Sequence, residues 1–122
     1  MNKNKKEEQI LTNEAAVNLF DIAVSTITEN SPRLNLDYCN AEMIFSEDYV
    51  ILKSYETLIA CYNKRLAIFC DVLRYKYTTT NKNGDIVHYS RTSIQHINRF
   101  IKKMVERYKL ENYYLWTYKE VK

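Results

Sequence analysis

Few side chains in this chain of 122 residues are of the types that do covalent or metal chemistry. The histidines are His88 and His96, and the cysteines are Cys39, Cys61 and Cys70. A thiol held against an imidazole is an activated nucleophile, so Cys70 with either histidine is the pairing that could support acyl transfer. Nothing in the spacing brings them together. Zinc needs a third and fourth ligand, and no spacing supplies them. Gly84 is the lone glycine. It excludes the phosphate-cradling loops, which need at least two. The expectation is a non-enzymatic chain with no metal and no cofactor.

The residues suited to binding are more numerous. Arg99, Lys103 and Arg107 recur at i, i+4 and i+8, with Lys102 and Lys109 beside them and His96 on the same polar side. Such a row can follow a phosphate backbone while nearby tyrosines stack on bases. It is also what the solvated side of an amphipathic helix looks like, and a pI of ≈ 8.7 is modest for a nucleic-acid-binding domain. Glu42, Glu47, Asp48 and Glu56 gather around strand loops, where carboxylates can occupy a basic groove on a partner protein. Ser90, Thr92 and Ser93 stand at a predicted helix start, where free N–H groups and hydroxyls can hold an anion. A capping box between Thr92 and Gln95 competes for the same groups. Tyr114, Trp116 and Tyr118 alternate, so their rings share one face of a predicted edge strand. Rings of this kind anchor a protein interface, join two copies across an open edge, or complete the core.

The elements that must position these residues follow from periodicity. Residues 1–9 are polar and predicted to fray, leaving one domain over 10–122. From Thr12 to about Glu29, Ala16, Val17, Phe20, Ala23, Val24 and Ile27 recur at helical steps, with Thr12 or Asn13 as cap. Asn30-Ser31-Pro32 ends that helix. Residues 33–40 read as a connector. Ala41–Phe45, Tyr49–Lys53, Leu58–Tyr62 and Leu66–Val72 are short apolar runs joined by short loops, as antiparallel strands are. A single buried helix over Tyr55–Tyr75 is the alternative for part of that stretch. Asn83-Gly84 is a hairpin signal between Arg74–Thr79 and Ile86–Tyr89. Ile94, Ile97, Ile101, Met104, Val105 and Tyr108 mark a second helix. The predicted fold is α+β: an N-terminal helix, an antiparallel meander of about four to six strands, and a second helix packed on one face.

The charge is polarised along the chain. Residues 7–61 carry ten acidic and two basic side chains, and residues 62–122 carry thirteen basic and five acidic. Two electrostatic faces, halves that attract one another on folding, or simply solvated charge are the readings this allows. No stretch reaches the ~20 apolar residues of a membrane helix. The N-terminal residues lack the apolar core of a secretory signal. An odd cysteine count argues against a disulfide framework. The expected compartment is the cytoplasm.

Two stretches form a recognisable combination. Ser54-Tyr55-Glu56-Thr57-Leu58-Ile59-Ala60 follows an apolar strand, and Tyr89-Ser90-Arg91-Thr92-Ser93-Ile94-Gln95-His96-Ile97-Asn98-Arg99-Phe100 starts a helix. The pair resembles small proteins encoded by bacteriophages and mobile elements, in which an S-Y-x-T-x-I-A hairpin leads to Y-S-x-T-[ST]-x-x-H-I-x-x-F. The likeness covers roughly residues 49–104, with Asp71–Ile86 inserted between its halves. It implies an accessory protein that binds a host protein or protein–nucleic-acid complex, an inhibitor of a CRISPR effector nuclease being one form. A small nucleic-acid-binding module using the basic helix is the alternative.

Overall fold

The apolar runs between residues 41 and 72 have a simple cause: they are strands covered on both sides. Val50, Ile51 and Leu52 are all fully buried, Val50 and Leu52 in one core cluster and Ile51 in another. Successive strand side chains point to opposite faces, so a strand with two covered faces loses its polar alternation. The same division separates Met43 and Phe45 from Ile44, and Tyr62 from Cys61.

The computed structural model describes residues 5–8, 12–37, 40–73, 79–80, 83, 86–87 and 91–117. In chain order the elements are β1 (Lys5–Glu8), α1 (Asn13–Ser25), β2 (Arg33–Asn35), β3 (Ala41–Phe45), β4 (Tyr49–Ser54), β5 (Thr57–Asn63), β6 (Ile68–Asp71), β7 (Thr79–Thr80), β8 (Ile86–Val87), α2 (Arg91–Tyr108) and β9 (Asn112–Thr117). The fold is α+β. A seven-stranded sheet runs β1-β9-β6-β5-β4-β3-β2, and β7 pairs with β8 apart from it. Strands β2 to β6 are the expected antiparallel meander. β9 then adds to β6 in parallel, and β1 adds to β9 in parallel, so the whole sheet is mixed. A parallel return needs a crossover, and α2 supplies it.

The helices lie on opposite faces of the sheet. Ala16, Phe20 and Ala23 of α1 pack with Ile44, Ile51, Cys61, Cys70 and Trp116. Ile97, Phe100, Met104 and Val105 of α2 pack with Val50, Leu52, Tyr62 and Phe69. Thr12 caps α1 by accepting the Ala15 N–H at 3.1 Å. The helix stops at Ser25, short of the predicted Glu29, because the Ser25 and Thr26 hydroxyls turn back to the Ile22 and Ala23 carbonyls at 2.6 Å. Such local bonds compete with the next helical turn. α2 ends in a Schellman motif. Lys109 takes φ 51°, and the Leu110 N–H donates to the Val105 carbonyl at 3.1 Å.

Several expectations are corrected. Part of the connector at residues 33–40 is strand β2, because its backbone pairs with β3. Lys5–Glu8, expected to fray, form β1. The segment at Tyr113–Thr117 is not an edge strand, since β1 flanks it. The alternative helix over Tyr55–Tyr75 is replaced by β5 and β6, with a β-bulge at Ile59 that lets Leu52 face Ala60 while Lys53 faces Leu58. The hairpin signal around Asn83 joins β7 to β8, pairing Thr80 with Ile86.

Candidate functional site

Two motif stretches that the sequence separates by some forty residues meet at one end of the sheet. Ser54 closes β4 and pairs with Thr57, leaving Tyr55-Glu56 as a two-residue turn. The Ser54 Oγ lies 2.7 Å from His96 Nδ1 and 3.1 Å from the Ser93 Oγ, so strand end and first turns of α2 share a chain of hydroxyl, hydroxyl and imidazole. Ser54 and His96 are each 2% exposed. Burial, together with the nearby Arg99 charge, holds His96 below the ordinary histidine pKa of 6.5, so the ring is neutral at pH 7.

Tyr55 covers this junction. Its φ is 53°, a conformation that glycine or asparagine adopts readily and that costs a bulky residue about 1–2 kcal/mol. Its N–H donates to the Asn40 carbonyl at 2.8 Å, and its ring stands 5.6 Å from the His96 ring at 45°. Half of the residue remains exposed. Tyr55 also lines a cleft of about 440 Å³ with Asn35, Asn40, Ala41, Glu42, Lys53 and Glu56.

This geometry corrects two placements on α2. His96 is buried on the sheet side rather than on the polar side with Arg99. Phe100, absent from the predicted apolar stripe, is fully buried. The helix is therefore turned so that positions 96, 97, 100 and 104 face the sheet. The inward row mixes a histidine with apolar residues, which a count of aliphatic side chains misses. Ser54 and Tyr55 were also absent from the predicted binding residues. The available signal was a tyrosine where a two-residue turn prefers glycine or asparagine.

The basic row is outward but not uniform. Lys103 Nζ meets Asp37 Oδ1 at 2.9 Å, which lowers the Asp37 pKa and raises that of Lys103. The Arg107 guanidinium lies over the Phe45 ring at 4.8 Å, a cation–π contact. Arg99 and Lys102 are exposed, and among the described residues no ion pair holds either. Asp37, Arg99, Lys102, Lys103 and Glu106 line a second cleft of about 360 Å³.

The acidic residues do not form one surface. Glu47 and Asp48 precede β4 and Glu56 follows it, so the strand's six residues separate them by roughly 17 Å. Glu42 is bound to Arg33 at 3.1 Å, and Glu56 lies 3.6 Å from Lys53. Lys64 donates to the Ser46 and Glu47 carbonyls at 2.8 and 3.2 Å.

The remaining candidates are resolved by burial and register. α2 begins at Arg91, which puts Thr92 and Ser93 inside its first turn rather than at its cap, and the Ser93 hydroxyl is spent on Ser54. Trp116 is 1% exposed in the α1-side cluster, so it is core rather than a partner anchor. Tyr114 packs half-buried beside it. Tyr118, Ser90, His88 and Cys39 lie outside the described residues. Cys61 and Cys70 sit opposite each other on neighbouring strands, facing α1. The sheet stands between Cys70 and His96, which removes that thiol–imidazole pairing; the pairing with His88 lies outside the described residues. Hydrogen bonding to Cys70 and burial push the Cys61 thiol pKa up. Among the described residues no group of three His, Cys, Asp or Glu side chains could hold a metal ion, and no helix is long and apolar enough to cross a membrane.

A family model described as a family of unknown function, DUF8033, matches residues 22–114. The match runs from within α1 into β9 and takes in both motif stretches, so the chain belongs to this family. No curated protein and no solved structure matches it.

Proposed function

We propose that this DUF8033 member is a non-catalytic accessory protein that grips a macromolecular partner with the outer face of α2. The observation that carries the reading is the electrostatic division made by the sheet. α1, on one side, presents Glu14 and Asp21 and contains no basic residue. α2, on the other, contains Arg91, Arg99, Lys102, Lys103 and Arg107 against Glu106 alone. The two helices on opposite faces of the sheet thus differ in charge. Such a field steers an oppositely charged partner to one face and repels it from the other.

A bacteriophage or mobile-element setting is supported by the motif resemblance, and inhibition of a host CRISPR effector nuclease is one form the role takes. The test of the α2 face itself needs no partner in hand. The protein is expected to be retained on a heparin matrix and released as salt rises. Arg99→Glu with Lys102→Glu should elute much earlier at an unchanged melting temperature, whereas Glu14→Lys with Asp21→Lys should be retained at least as well. Equal retention of the wild type and the α2 double variant would remove the proposal.

A further inference from the structure

We infer that strand β2, at the edge of the sheet, is an interaction surface for a second copy of this chain, and that two molecules pair β2 against β2, antiparallel, about a two-fold axis at Leu34. This goes beyond the reading of α2 and does not depend on it.

The first support is the backbone. β2 ends the sheet, and among the described residues no strand lies outside it. The Phe45 N–H donates to the Pro32 carbonyl and the Leu36 N–H to the Ala41 carbonyl, so residues 32, 34 and 36 turn their main-chain groups to β3. These directions alternate along an antiparallel strand, so Arg33 and Asn35 turn theirs outward. Proline and unmatched charge are devices by which an edge resists a further strand. Pro32 stands at an inward position, so its missing N–H leaves the outer row whole. The Arg33 charge is neutralised by Glu42 at 3.1 Å. β2 keeps only its shortness as a guard.

The second support is the fit to a copy of itself. A two-fold axis between antiparallel strands always sets one residue against its own copy. Centred on Leu34, it sets Arg33 against Asn35 of the other copy and Asn35 against Arg33. All four residues point their main-chain groups outward, so each pair exchanges both of its N–H···O bonds. Leu34 then meets Leu34 at the intervening non-bonded position, where opposed side chains come closest. Leu34 lies opposite Met43 on the α2 face of the sheet and is 48% exposed, so the pairing covers an apolar side chain that the single chain leaves in water. Centring on Arg33 opposes two like charges. Centring on Asn35 sets Arg33 against Asp37, whose φ of 56° takes it out of the strand. Every residue of β1, at the other edge, is charged, so each two-fold register there opposes like charges.

The axis runs perpendicular to the sheet, so both α2 helices come to lie on one face of the dimer and both α1 helices on the other. An acidic partner with repeated groups is then held at two points. The contact is a strand edge, smaller than the ~1,200 Å² at which stable interfaces begin, so the dimer is weak and forms as concentration rises.

Sedimentation velocity of the full chain from roughly 5 µM to roughly 1 mM, a range suited to a contact of this size, tests the pairing. The weight-average mass should rise from 14.6 kDa toward twice that value. Asn35→Pro removes an outward N–H at a position where an edge strand tolerates proline, and should raise the dissociation constant roughly ten-fold or more. Oxidation by glutathione disulfide on a Cys39→Ser background reads the register. Leu34→Cys meets its own copy and should give a covalent dimer, whereas Arg33→Cys faces Asn35 and should give little. Should Asn35→Pro fail to fold by circular dichroism, the two cysteine variants decide. A monomer at every concentration, a dimer that a folded Asn35→Pro leaves unchanged, or Arg33→Cys cross-linking as readily as Leu34→Cys overturns the inference. Each of these results leaves the α2 proposal, read by heparin retention, standing.

Discussion

Replacing Ser54 with alanine probes the junction most directly. The substitution deletes a hydroxyl that lies 2.7 Å from a buried imidazole nitrogen and 3.1 Å from a second hydroxyl. A buried hydrogen bond is worth about 1 kcal/mol net, but a buried partner left unsatisfied costs about 1–3 kcal/mol. His96 is 2% exposed and cannot turn to solvent without moving Tyr55, whereas Ser93 is only partly buried and reaches water. The expected loss for Ser54→Ala is therefore about 1–3 kcal/mol, which for a domain of this size is a fall in melting temperature of roughly 3–5 °C per kcal/mol. Most of it comes from the orphaned Nδ1, so it should disappear when the imidazole is removed as well. Urea unfolding of Ser54→Ala, His96→Leu and the double variant closes a double-mutant cycle. The double variant should be less destabilised than the sum of the singles by about 1 kcal/mol or more. Additivity to within about 0.5 kcal/mol is what independent sites show, and that result would refute a shared buried bond.

Two further outcomes follow from burial. His96 is neutral when folded and takes a proton more readily when unfolded, so its contribution is intact above pH 6.5 and declines as pH falls from there toward its lower folded value. The wild-type stability should fall relative to His96→Leu across that window with a slope of at most about 1.4 kcal/mol per pH unit, and parallel pH profiles would contradict the burial argument. Trp116→Ala should destabilise the isolated chain by about 3–5 kcal/mol in a urea titration, as loss of a core aromatic does; an unaffected chain would return Trp116 to the role of a surface anchor.

The meander was legible in the sequence because strands β3 to β6 are buried on both faces and short loops separate them. The α1 start was legible because Thr12 is a cap residue next to a helical stripe. What could not be read was pairing between distant segments. Nothing local in Tyr113–Thr117 says that β1 shields it, and without that knowledge alternating rings look like an exposed edge. The same limit applied to the site. Ser54 and His96 each stood in a motif, but their meeting depends on the crossover that lays α2 along β4. The rotation of α2 was misread for a different reason, since a buried histidine counts as polar in any periodicity.

That rotation also explains why the basic residues are not equivalent. Four residues of α-helix turn 400°, so each i, i+4 step carries the row about 40° farther round the axis. Starting from Arg99, which points clear of the sheet, one step brings Lys103 to the β2–β3 connection, where Asp37 meets it. A second step brings Arg107 down to the sheet, where it lies on Phe45. A row that looks continuous in sequence therefore spends its charge progressively toward its C-terminal end. Among the described side chains of α2, the cations with neither an ion pair nor a ring contact are Arg99 and Lys102, three and six residues beyond His96 and near the middle of the helix. The drift of a straight helix against a sheet thus leaves the row's unmatched charge at its N-terminal member, Arg99.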